Sequence, residues 1–511
     1  MRIHDLLLHA TVRSPDAPAV LVDGTTITFA ELSDRVDRLS RAVAGITDPG
    51  DRIAVLSENT LPFVDAYYAV PRAGRVLVPL NYRLHPSEWA EQIALTRATV
   101  LLGEAALVDP LRPHLDGSSV HTVVTIDGPT ADYEAFTADP PVVTLPETTA
   151  VDLAWVLFTS GTTGTPKGAL LTHRSMVAAA TNTALGRPVA PDDVYLLAFA
   201  LCHVAGYNLL IMHMHGRPVV LVRRFDADEF IDLTTTHRVS NTSLAPTMVS
   251  ALLEHPGATP AALGSLRQIA YGSAAIPAEV LRRAMDRWRC DFAQGYGMTE
   301  LGGNAVFLGG AEHRRGLGAE PHLLRAAGRP GPLAAVRVVD PDATTLADLP
   351  VGTTGEIVVH GPQVFAGYWE DPAATGATLV GGWLRTGDLG HLDPDGLLTI
   401  VDRKKDIIVS GGENVASREV EEVLHRHPGV LEVAVVGVPD AHWGEVVCAA
   451  VVARADVAID AAQVIDVSRQ HLASYKKPRH VVFVDTLPRN TSGKVMKHVL
   501  REQVAELLGV T

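Results

Sequence analysis

The sequence predicts an α/β protein with a large N-terminal domain of several α/β subdomains, residues 1–401, and a smaller C-terminal α+β domain, residues 402–511. Up to about residue 400, short apolar runs alternate with helical stretches, which is typical of an α/β protein with buried strands. After that point the chain has a strand–helix pattern of its own. A chain of 511 residues, 47% of them hydrophobic, is long enough to bury the cores of two or more domains.

The first elements are a hairpin and a helix. The stretch AVLVDGTTITF indicates two strands joined at Asp23 and Gly24, a pair that tolerates the positive φ angles of a tight turn. In the helix that follows, apolar residues recur at spacings of four, three and four, which places them on one face. They are Leu32, Val36, Leu39 and Val43.

Buried strands and a separate C-terminal pattern account for much of the remaining chain. In the large domain, strands are predicted at RIAVLS, VLVPL, TVLLG, AWVLF, PVVLV and EIVVH. In the small domain, VASREVEEVLHRH predicts a helix, and VLEVAVVGVPD and VVCAAVVAR predict strands. Between the domains, LLTIVDRKKDIIVSGGEN places two strands around the charged residues 402–406, and a glycine pair follows. We predict a hinge there.

Composition and charge exclude several classes of protein. A net charge of −15, without any run of Lys or Arg, argues against a nucleic-acid partner. Cys202, Cys290 and Cys448 show neither metal-ligand nor redox spacing, which fits a reducing cytoplasm. No signal-peptide pattern and no apolar run of about 18 residues is visible, so we expect a cytoplasmic protein without a membrane span. The oligomeric state stays open, a dimer included.

The stretch TSGTTGTPKG, Thr159–Gly168, has the composition of an anion-binding loop. Glycines allow successive backbone N–H groups to face one point, hydroxyl side chains add donors, and Lys167 adds a mobile positive charge. The loop therefore suits a polyphosphate. It differs from a Walker loop because Pro166 precedes Lys167 and Gly168 follows it. A flexible surface loop is the alternative interpretation.

Six further motifs follow in order, and together with the loop they carry a resemblance to a known family. They are GSAAIP at 272–277, QGYGMTE at 294–300, GEIVVHGPQVFAGYW at 355–369, LRTGDLG at 384–390, DRKKDIIVSGGENV at 402–415 and PRNTSGKVMK at 488–497. The order resembles that of the adenylate-forming superfamily, which includes acyl-CoA synthetases, adenylation domains of peptide synthetases and beetle luciferases. The resemblance covers nearly the whole chain and implies an acyl-CoA-synthetase-like fold with a mobile C-terminal domain.

The resemblance also implies a reaction and its cofactors. Members of the family use ATP to activate a carboxylic acid as an acyl-adenylate with release of pyrophosphate, after which a thiol such as that of CoA displaces AMP. The first step develops negative charge between two anions, so it needs cations and preorganised donors more than it needs a base. Mg²⁺ is the expected metal, held by one or two carboxylates and by waters.

Specific residues follow from the matched motifs. By resemblance Tyr296 stacks on adenine, Thr299 binds the α-phosphate, Glu300 binds Mg²⁺, and Asp388 and Arg403 contact the ribose. By the same resemblance, the catalytic residues are Lys167, Lys494, Thr299 and Glu300. The implied nucleotide and CoA contacts are Thr159, Ser160, Gly161, Thr162, Thr163, Gly164, Gly272, Ser273, Ala274, Gln294, Gly295, Tyr296, Gly297, Asp388, Arg403, Gly411 and Gly412.

Lys494 and the hinge are implied to separate the two half-reactions. The lysine would contact the α-phosphate and the carboxylate during adenylation. In relatives the small domain then rotates about the residue that matches Asp402, which removes the lysine and brings residues 410–412 to the channel for the thiol. Gly411 and Gly412 would let a narrow pantetheine arm pass. A plain glycine turn is the alternative.

The acid is less clearly indicated. The implied pocket residues are mostly small or apolar: His203, Val204, Gly206, Tyr207 and Leu210, with Ala274 and Gly297. No counter-ion for a second charge is obvious, ALCHVAG lacks the aspartate that binds an α-amino group, and Gly297 leaves room that acetate-type enzymes fill. We therefore expect a medium or long fatty acid first, within fatty acid metabolism, and an aryl or arylpropenoic acid second. His203 either gates the pocket or is structural.

The acceptor is expected to be CoA. Family members that load carrier proteins usually have an insertion after the hinge, and none is visible between Arg403 and Ser417. An acyl-carrier-protein thiol is the alternative. Ala416 and Ser417 depart from the aromatic residue and proline common in the family, which weakens inferences about the nucleotide part of CoA. A catalytically silent binding module is a further alternative, but the intact catalytic residues speak against it.

Overall fold

The computed structural model describes residues 1–128, 132–159, 166–272, 276–343, 345–440, 442–455, 457–490 and 493–510. The chain divides into two units. The large unit contains residues 1–275, 280–335 and 359–384, and the small unit contains residues 276–279, 336–358 and 385–511. The small unit thus includes segments that precede Asp402, where the hinge is predicted. Within the described ranges, every helix is too short or too polar to cross a membrane.

Helices and strands alternate along the chain. The elements up to residue 159 are α1 Ile3–Arg13, β1 Pro18–Val22, β2 Thr25–Thr28, α2 Phe29–Ala44, β3 Arg52–Leu56, α3 Leu61–Arg72, β4 Val76–Leu80, α4 Pro86–Thr96, β5 Val100–Gly103, α5 Ala105–Leu111, β6 Thr122–Thr125, α6 Tyr133–Ala138 and β7 Leu153–Thr159. The elements from residue 167 to residue 330 are β8 Lys167–Thr172, α7 His173–Gly186, β9 Tyr195–Leu197, α8 Asn208–Met214, β10 Val219–Leu221, α9 Ala227–His237, β11 Asn241–Leu244, α10 Pro246–Glu254, β12 Gln268–Tyr271, α11 Ala278–Trp288, β13 Asp291–Met298, β14 Gly303–Leu308, α12 Gly310–Leu317 and β15 Ala326–Pro330. The remaining elements are β16 Ala335–Val339, β17 Gly355–His360, α13 Pro372–Thr378, β18 Leu379–Val380, β19 Trp383–Leu392, β20 Leu398–Arg403, β21 Ile408–Ser410, β22 Glu413–Val415, α14 Ser417–Leu424, β23 Val430–Asp440, β24 Gly444–Ala453, α15 Ala461–His471, β25 His480–Phe483 and α16 Lys497–Leu508.

Local chemistry explains the first hairpin and helix. Asp23 and Gly24 join β1 to β2 with φ angles of 49° and 71°, as a tight turn requires. Thr28 and Glu31 form a capping box at the start of α2, in which each side chain accepts a hydrogen bond from the other residue's backbone N–H. The four apolar residues predicted to share one face of α2 are all fully buried. Both predictions are confirmed.

The large unit contains two sheets with mostly parallel strands. The first has the order β6-β5-β3-β4-β7-β8, in which only the β7–β8 pair is antiparallel among the described pairs. In the second, strands β1, β10, β9, β11, β12 and β13 pair parallel in that order, and β2, β14 and β15 add antiparallel pairs. The six strands predicted from apolar runs are confirmed as β3, β4, β5, β7, β10 and β17.

Parallel pairing gives the large unit a common edge for its loops. Carboxyl ends of parallel strands meet at one edge of a sheet, where ligands bind in open α/β sheets. The chain after β9 carries the ALCHVAG residues, the chain after β12 carries GSAAIP, and β13 itself carries QGYG. The residues that directly follow β9, Gly272 after β12 and the QGYG residues therefore lie at the same sheet edge, although they are far apart in sequence.

The small unit contains a sheet in the order β22-β21-β24-β23, with β25 parallel to β24. Alternate residues of β23 face opposite sides of this sheet. On one side Val435 packs with α14 and α15, and on the other side Val436 packs with α16. The predicted strands are confirmed, and the predicted helix forms as the shorter α14, which ends at Leu424.

Candidate active site

Strands β7 and β8 hold the two ends of the predicted phosphate-binding loop. They pair antiparallel with Thr159 opposite Lys167, and the Thr159 hydroxyl is 3.4 Å from the Lys167 carbonyl oxygen that accepts its hydrogen bond. The predicted strand–loop–strand arrangement is therefore confirmed at both ends. The nucleotide contacts predicted between these ends lie outside the described residues: Ser160, Gly161, Thr162, Thr163 and Gly164.

The end of the GEIVVHGPQVFAGYW motif runs alongside β8. The Leu170 N–H donates to the Gly367 carbonyl oxygen, and the Trp369 N–H donates to the Gly168 carbonyl oxygen. A Cβ atom on Gly168 would lie 2.7 Å from Val156 Cγ1 and 3.3 Å from the Cβ of Trp369, so glycine at position 168 favours this close approach of the two backbones. This pairing places Tyr368 next to Lys167.

Lys167 lies over an aromatic ring and keeps access to solvent. Its Nζ atom is 5.3 Å from the centroid of the Tyr368 ring and 3.9 Å from Asp371 Oδ2. The Lys167 side chain is 34% exposed, and a long, exposed ion pair of this kind contributes little. The charge of Lys167 therefore remains available to an anion such as a phosphate.

Tyr368 also orients Glu300. The Tyr368 hydroxyl donates a hydrogen bond of 2.7 Å to Glu300 Oε1, and the Glu300 side chain is largely buried. Desolvation, and then the neighbouring Glu300 carboxylate, raise the pKa of Tyr368, so the hydroxyl stays protonated and remains a donor. Sequence analysis quoted Tyr368 within a motif but assigned it no role. The only sequence feature that marks Tyr368 is its place in the GYW stretch, and no pattern within that stretch indicates a contact with Glu300.

The Glu300 carboxylate fits the role predicted for it toward Mg²⁺. One of its oxygens is held by Tyr368, and the other makes no hydrogen bond with the described residues. No group of three His, Cys, Asp or Glu in the described ranges is placed to bind a metal. Mg²⁺ commonly takes one or two carboxylates and completes its shell with phosphate oxygens and water. Glu300 would thus hold the ion jointly with the nucleotide.

The QGYGMTE motif spans the end of β13 and a short turn. Thr299–Leu301 form a 3₁₀ helix, and Gly302 with φ 59° then turns the chain into β14. The β13–β14 pair has a register shift between Tyr296 and Gly297. Tyr296 and Thr299 are both half-buried, so each retains surface for a ligand.

Backbone packing explains the glycines of this region. A Cβ atom on Gly297 would lie 2.0 Å from the carbonyl oxygen of Gly303, and one on Gly272 would lie 2.8 Å from the carbonyl oxygen of Gly295. The expectation that Gly297 leaves open space for an acyl group is therefore wrong, because the backbone of β14 fills that direction. Gly272 directly follows β12, whereas the predicted contacts Ser273 and Ala274 lie outside the described residues.

Gln294 and Gly295 lie inside β13. The Tyr271 hydroxyl donates to Gln294 Oε1 at 3.1 Å, and a Cβ atom on Gly295 would lie 2.3 Å from Asn304 Nδ2. The amide of Gln294 is therefore fixed from β12, the strand next to it. Both residues thus make structural contacts, and their predicted roles in nucleotide binding stay predictions.

The predicted acyl-pocket residues lie between β9 and α8. Val204–Tyr207 form a 3₁₀ turn, and a Cβ atom on Gly206 would lie 2.1 Å from Tyr67 Oη. Tyr207 is 2% exposed and Leu210 is fully buried. Leu210 is thus a core residue here and not an exposed pocket wall, because α8 turns it toward the interior of the unit. Val204 is half-buried and keeps accessible surface.

His203 has an unpartnered ring nitrogen. Its Nε2 atom is buried and makes no hydrogen bond within the described part of the chain. Burial, and then the charge of Arg83, lower the pKa of His203 to about 4, so the imidazole is neutral at pH 7. Buried polar atoms of structural residues are usually hydrogen-bonded. The arrangement therefore favours the predicted pocket role of His203 over a structural one.

In the small unit, the two residues predicted to contact ribose face each other. Asp388 on β19 is opposite Arg403 on β20, and Arg403 Nε is 3.2 Å from Asp388 Oδ1. The Asp388 carboxylate is 6% exposed, and its backbone N–H donates to the Thr386 hydroxyl. Sequence analysis assigned these residues separately, and the strand register brings them together.

Lys494 belongs to the same polar cluster of the small unit. Its backbone N–H donates to Asn490 Oδ1 at 2.8 Å, and its side chain is exposed. Desolvation by surrounding protein atoms, and then the charge of Arg403, lower the pKa of Lys494 to about 8, against the opposing effect of Asp388. The amine is therefore mostly charged at pH 7 and loses its proton as the pH rises through about 8.

Gly411 and Gly412 form a two-residue hairpin turn between β21 and β22. Their φ angles are 60° and 86°, and the type I′ turn that suits such hairpins needs positive φ at both central positions. A Cβ atom on Gly411 would also lie 2.4 Å from the Trp443 ring. The turn alone accounts for both glycines, so their role in a thiol channel stays a prediction.

Comparison with known proteins matches both parts of the chain. Residues 7–369 match the family model described as AMP-binding enzyme, and residues 419–494 match its C-terminal domain. The chain is 37% identical to a feruloyl-CoA synthase of Amycolatopsis sp, with 96% of each chain covered. It is 35% identical to a fatty acid–[acyl-carrier-protein] ligase, ScoC, of Streptomyces coeruleorubidus (96% and 94% covered) and 35% identical to an indoleacetate–CoA ligase of Aromatoleum aromaticum (96% of each).

Solved structures agree with the fold over the whole chain. ATP-bound MatB from Rhodopseudomonas palustris superposes with a TM-score of 0.90 at 31% identity, covering 99% of this chain and 100% of that one. The amide bond synthetase McbA from Marinactinospora thermotolerans superposes with a TM-score of 0.88 at 33% identity, covering 98% and 99%. The predicted α/β class with a smaller C-terminal domain is confirmed.

Proposed function

The chain belongs to the AMP-binding enzyme family as an acid–thiol ligase, and from that premise we propose that it activates an aryl carboxylic acid with ATP and transfers the acyl group to CoA. The observation that carries this proposal is the arrangement of Lys167, Tyr368 and Glu300 beside the ends of the Thr/Gly-rich loop. An ammonium with free access and an oriented carboxylate suit a nucleotide phosphate with its Mg²⁺.

The first half-reaction uses these residues as charge partners. A carboxylate oxygen of the acid forms a bond to the α-phosphorus of ATP, and the bond from that phosphorus to the bridging oxygen breaks to release pyrophosphate. Lys167 and Thr299 would stabilise the phosphate oxygens, and Glu300 would hold Mg²⁺, which neutralises part of the phosphate charge when it is bound. No general base is needed because the acid enters ionised.

The second half-reaction exchanges oxygen for sulfur at the acyl carbon. The CoA thiol gives up its proton, the sulfur attacks the acyl carbon, and the bond to the AMP oxygen breaks. We assign Lys494 to the first half-reaction only. Rotation of the small domain near Asp402 would then lead from the first half-reaction to the second. Asp388 and Arg403, which are paired in the small unit, would contact the ribose.

Names of relatives support an aryl acid over a fatty acid. Feruloyl-CoA synthase, indoleacetate–CoA ligase and 2-succinylbenzoate–CoA ligase are all similar to this chain. One relative is named a fatty acid–[acyl-carrier-protein] ligase, which supports the lipid and carrier-protein alternative. The half-buried Val204 and the neutral His203 suit an uncharged ring beside the activated carboxyl.

The proposal is tested with a panel of acids. The purified chain is incubated with ATP, Mg²⁺ and single acids from three sets: arylpropenoic acids, arylacetic acids and saturated fatty acids. Pyrophosphate release is measured with CoA, with a carrier protein or with an amine as the acceptor, and products are identified by mass. We expect release with aryl acids and an aryl-CoA product. A fatty acyl or carrier-bound product in place of aryl-CoA would contradict the proposal, and an amide would indicate the activity named for McbA.

A further inference from the structure

Arg187 lies beside the segment assigned to the acyl pocket. It follows α7, and its guanidinium donates to Asn208 Oδ1 at 2.6 Å and to the Ser243 hydroxyl at 3.1 Å. Asn208 is 4% exposed and Ser243 is 7% exposed. The charged end of the half-buried Arg187 therefore lies beside two buried side chains, one of them near the end of β11.

The charge of Arg187 has no acidic partner. No Asp or Glu of the described residues lies within ion-pair distance, and both hydrogen bonds go to neutral groups. Arg187 is half-buried and keeps access to a ligand, and a carboxylate or phosphate is the partner that a guanidinium binds best. The sequence indicates no obvious counter-ion for a second charge on the acid, and Arg187 is a candidate for one. Sequence analysis missed Arg187 because it lies 16 residues before His203.

A second polar group points to the same place. The Tyr195 side chain is 1% exposed, and Arg187 lies 6.0 Å from its ring centroid. The Tyr195 hydroxyl makes no hydrogen bond of standard geometry with any described residue. The hydroxyl lies close to the Ser243 and Arg187 side chains, so it is available to an acceptor that binds beside them. Arg187 and Tyr195 together offer N–H and O–H groups to one acceptor.

Tyr207 connects this cluster to the QGYGMTE motif of the site. Its hydroxyl is 2.9 Å from that of Thr183, one helical turn before Arg187 on α7. A Cβ atom on Gly303 would lie 2.6 Å from the Tyr207 ring, and Gly303 follows the turn that carries Thr299 and Glu300. Tyr207 therefore contacts both α7, which Arg187 follows, and the start of β14, which follows the turn that carries Thr299 and Glu300.

We propose that Arg187 and Tyr195 form a binding site for an oxygen acceptor at the end of the acid remote from its activated carboxyl, and that a second carboxylate is the acceptor they bind best. The inference rests on the proposed function and specifies its substrate class: an aryl acid with an anionic group at the far end. A guanidinium fork matches the two oxygens of a carboxylate.

The test compares two acids that differ only at the far end. These are 3-(4-carboxyphenyl)propenoic acid and 3-(4-methylphenyl)propenoic acid, and kcat/KM for pyrophosphate release is measured for each. We expect the wild-type chain to prefer the carboxyphenyl acid. Arg187→Met should lower the ratio of the two kcat/KM values about 10- to 100-fold, as expected for a lost hydrogen bond to a charged group. Tyr195→Phe should lower it by a smaller factor.

Controls separate recognition from folding and from the proposed function. Arg112→Met removes an exposed arginine paired with Asp109 and should leave the ratio unchanged. Two outcomes would overturn the inference and leave the proposed function standing. In the first, wild type and Arg187→Met have equal ratios of the two kcat/KM values. In the second, the wild type activates other aryl acids but prefers the methyl acid. If Arg187→Met does not fold, the ratio of kcat/KM values in Tyr195→Phe decides instead, because that substitution removes only one oxygen atom. No pyrophosphate release with any acid would overturn both.

Discussion

At the scale of single residues, Tyr368 gives Glu300 a fixed orientation. Tyr368→Phe removes the hydroxyl that donates to Glu300 Oε1 at 2.7 Å and keeps the ring beside Lys167. Because groups that orient a metal ligand typically affect metal affinity 10- to 100-fold, we expect the Mg²⁺ concentration for half-maximal pyrophosphate release to rise by about 10-fold. The check is a Mg²⁺ titration at saturating ATP. Tyr475→Phe, an exposed tyrosine of the small unit, serves as the control, and an unchanged Mg²⁺ requirement in Tyr368→Phe would show that the hydrogen bond is only structural.

Lys494 is expected to serve one half-reaction. Lys494→Ala should lower the rate of acyl-adenylate formation by about 100- to 1000-fold, the usual effect of removing a group that stabilises transition-state charge. Thioester formation from supplied acyl-AMP and CoA should change little. Separate single-turnover assays of the two steps measure this, and equal losses in both would show that the assignment of Lys494 to one step is wrong.

The lowered pKa of Lys494 also predicts a pH profile. In the free enzyme its pKa is about 8, so the amine is charged below this pH and neutral above it. If the charged form contacts phosphate, kcat/KM for adenylate formation should fall as the pH rises through about 8, since kcat/KM reports groups of the free enzyme. Lys494→Arg keeps its charge at all these pH values and should lose this alkaline limb. If kcat/KM falls at high pH with the same midpoint in wild type and in Lys494→Arg, the fall is due to another group.

At the scale of elements, the β13–β14 pair depends on glycine at position 297. Gly297→Ala would place a Cβ atom 2.0 Å from the Gly303 carbonyl oxygen, so β14 must shift. We expect the free energy of unfolding to fall by about 1–3 kcal/mol or more, the usual cost of overpacking, and activity to fall with it because Thr299 and Glu300 follow this strand. Denaturant unfolding provides the measurement.

Gly376→Ala is the matched control for that substitution. Gly376 lies within α13, and a Cβ atom there has no neighbour within 4 Å. Alanine should leave stability unchanged or raise it by up to about 1 kcal/mol, because glycine is the weaker helix former. If Gly297→Ala is as well tolerated as Gly376→Ala, the close backbone approach at position 297 is not limiting.

At the scale of the whole molecule, the hinge proposed at Asp402 can be tested through its backbone. Asp402 Oδ2 accepts a hydrogen bond of 2.7 Å from the Ser417 hydroxyl, which ties β20 to the start of α14. Proline fixes φ near −65°, so Asp402→Pro should block rotation there and reduce the two half-reactions by factors that differ about 10-fold or more. Asp402→Ala, which keeps φ free, should reduce both to a similar extent. Equal losses in the proline variant would place the rotation elsewhere.

Local sequence patterns were sufficient to predict several elements and the family. Apolar spacing predicted α2, the Asp23–Gly24 pair predicted the first hairpin, and short apolar runs predicted six buried strands. These features depend on neighbours within a few residues, so local periodicity and turn chemistry suffice to predict them. The order of the motifs indicated the family because each motif is a continuous stretch of chain.

The contacts between distant residues, and the space around them, became visible only in the folded chain. Tyr368 contacts Glu300 across 68 positions of sequence, Arg403 faces Asp388 through the β19–β20 register, and Arg187 meets Ser243 from another element. The direction of a Cβ atom at Gly297 likewise depends on the path of β14. Contacts between distant segments depend on how sheets and helices pack, and no pattern within one segment specifies the partner it will have in another.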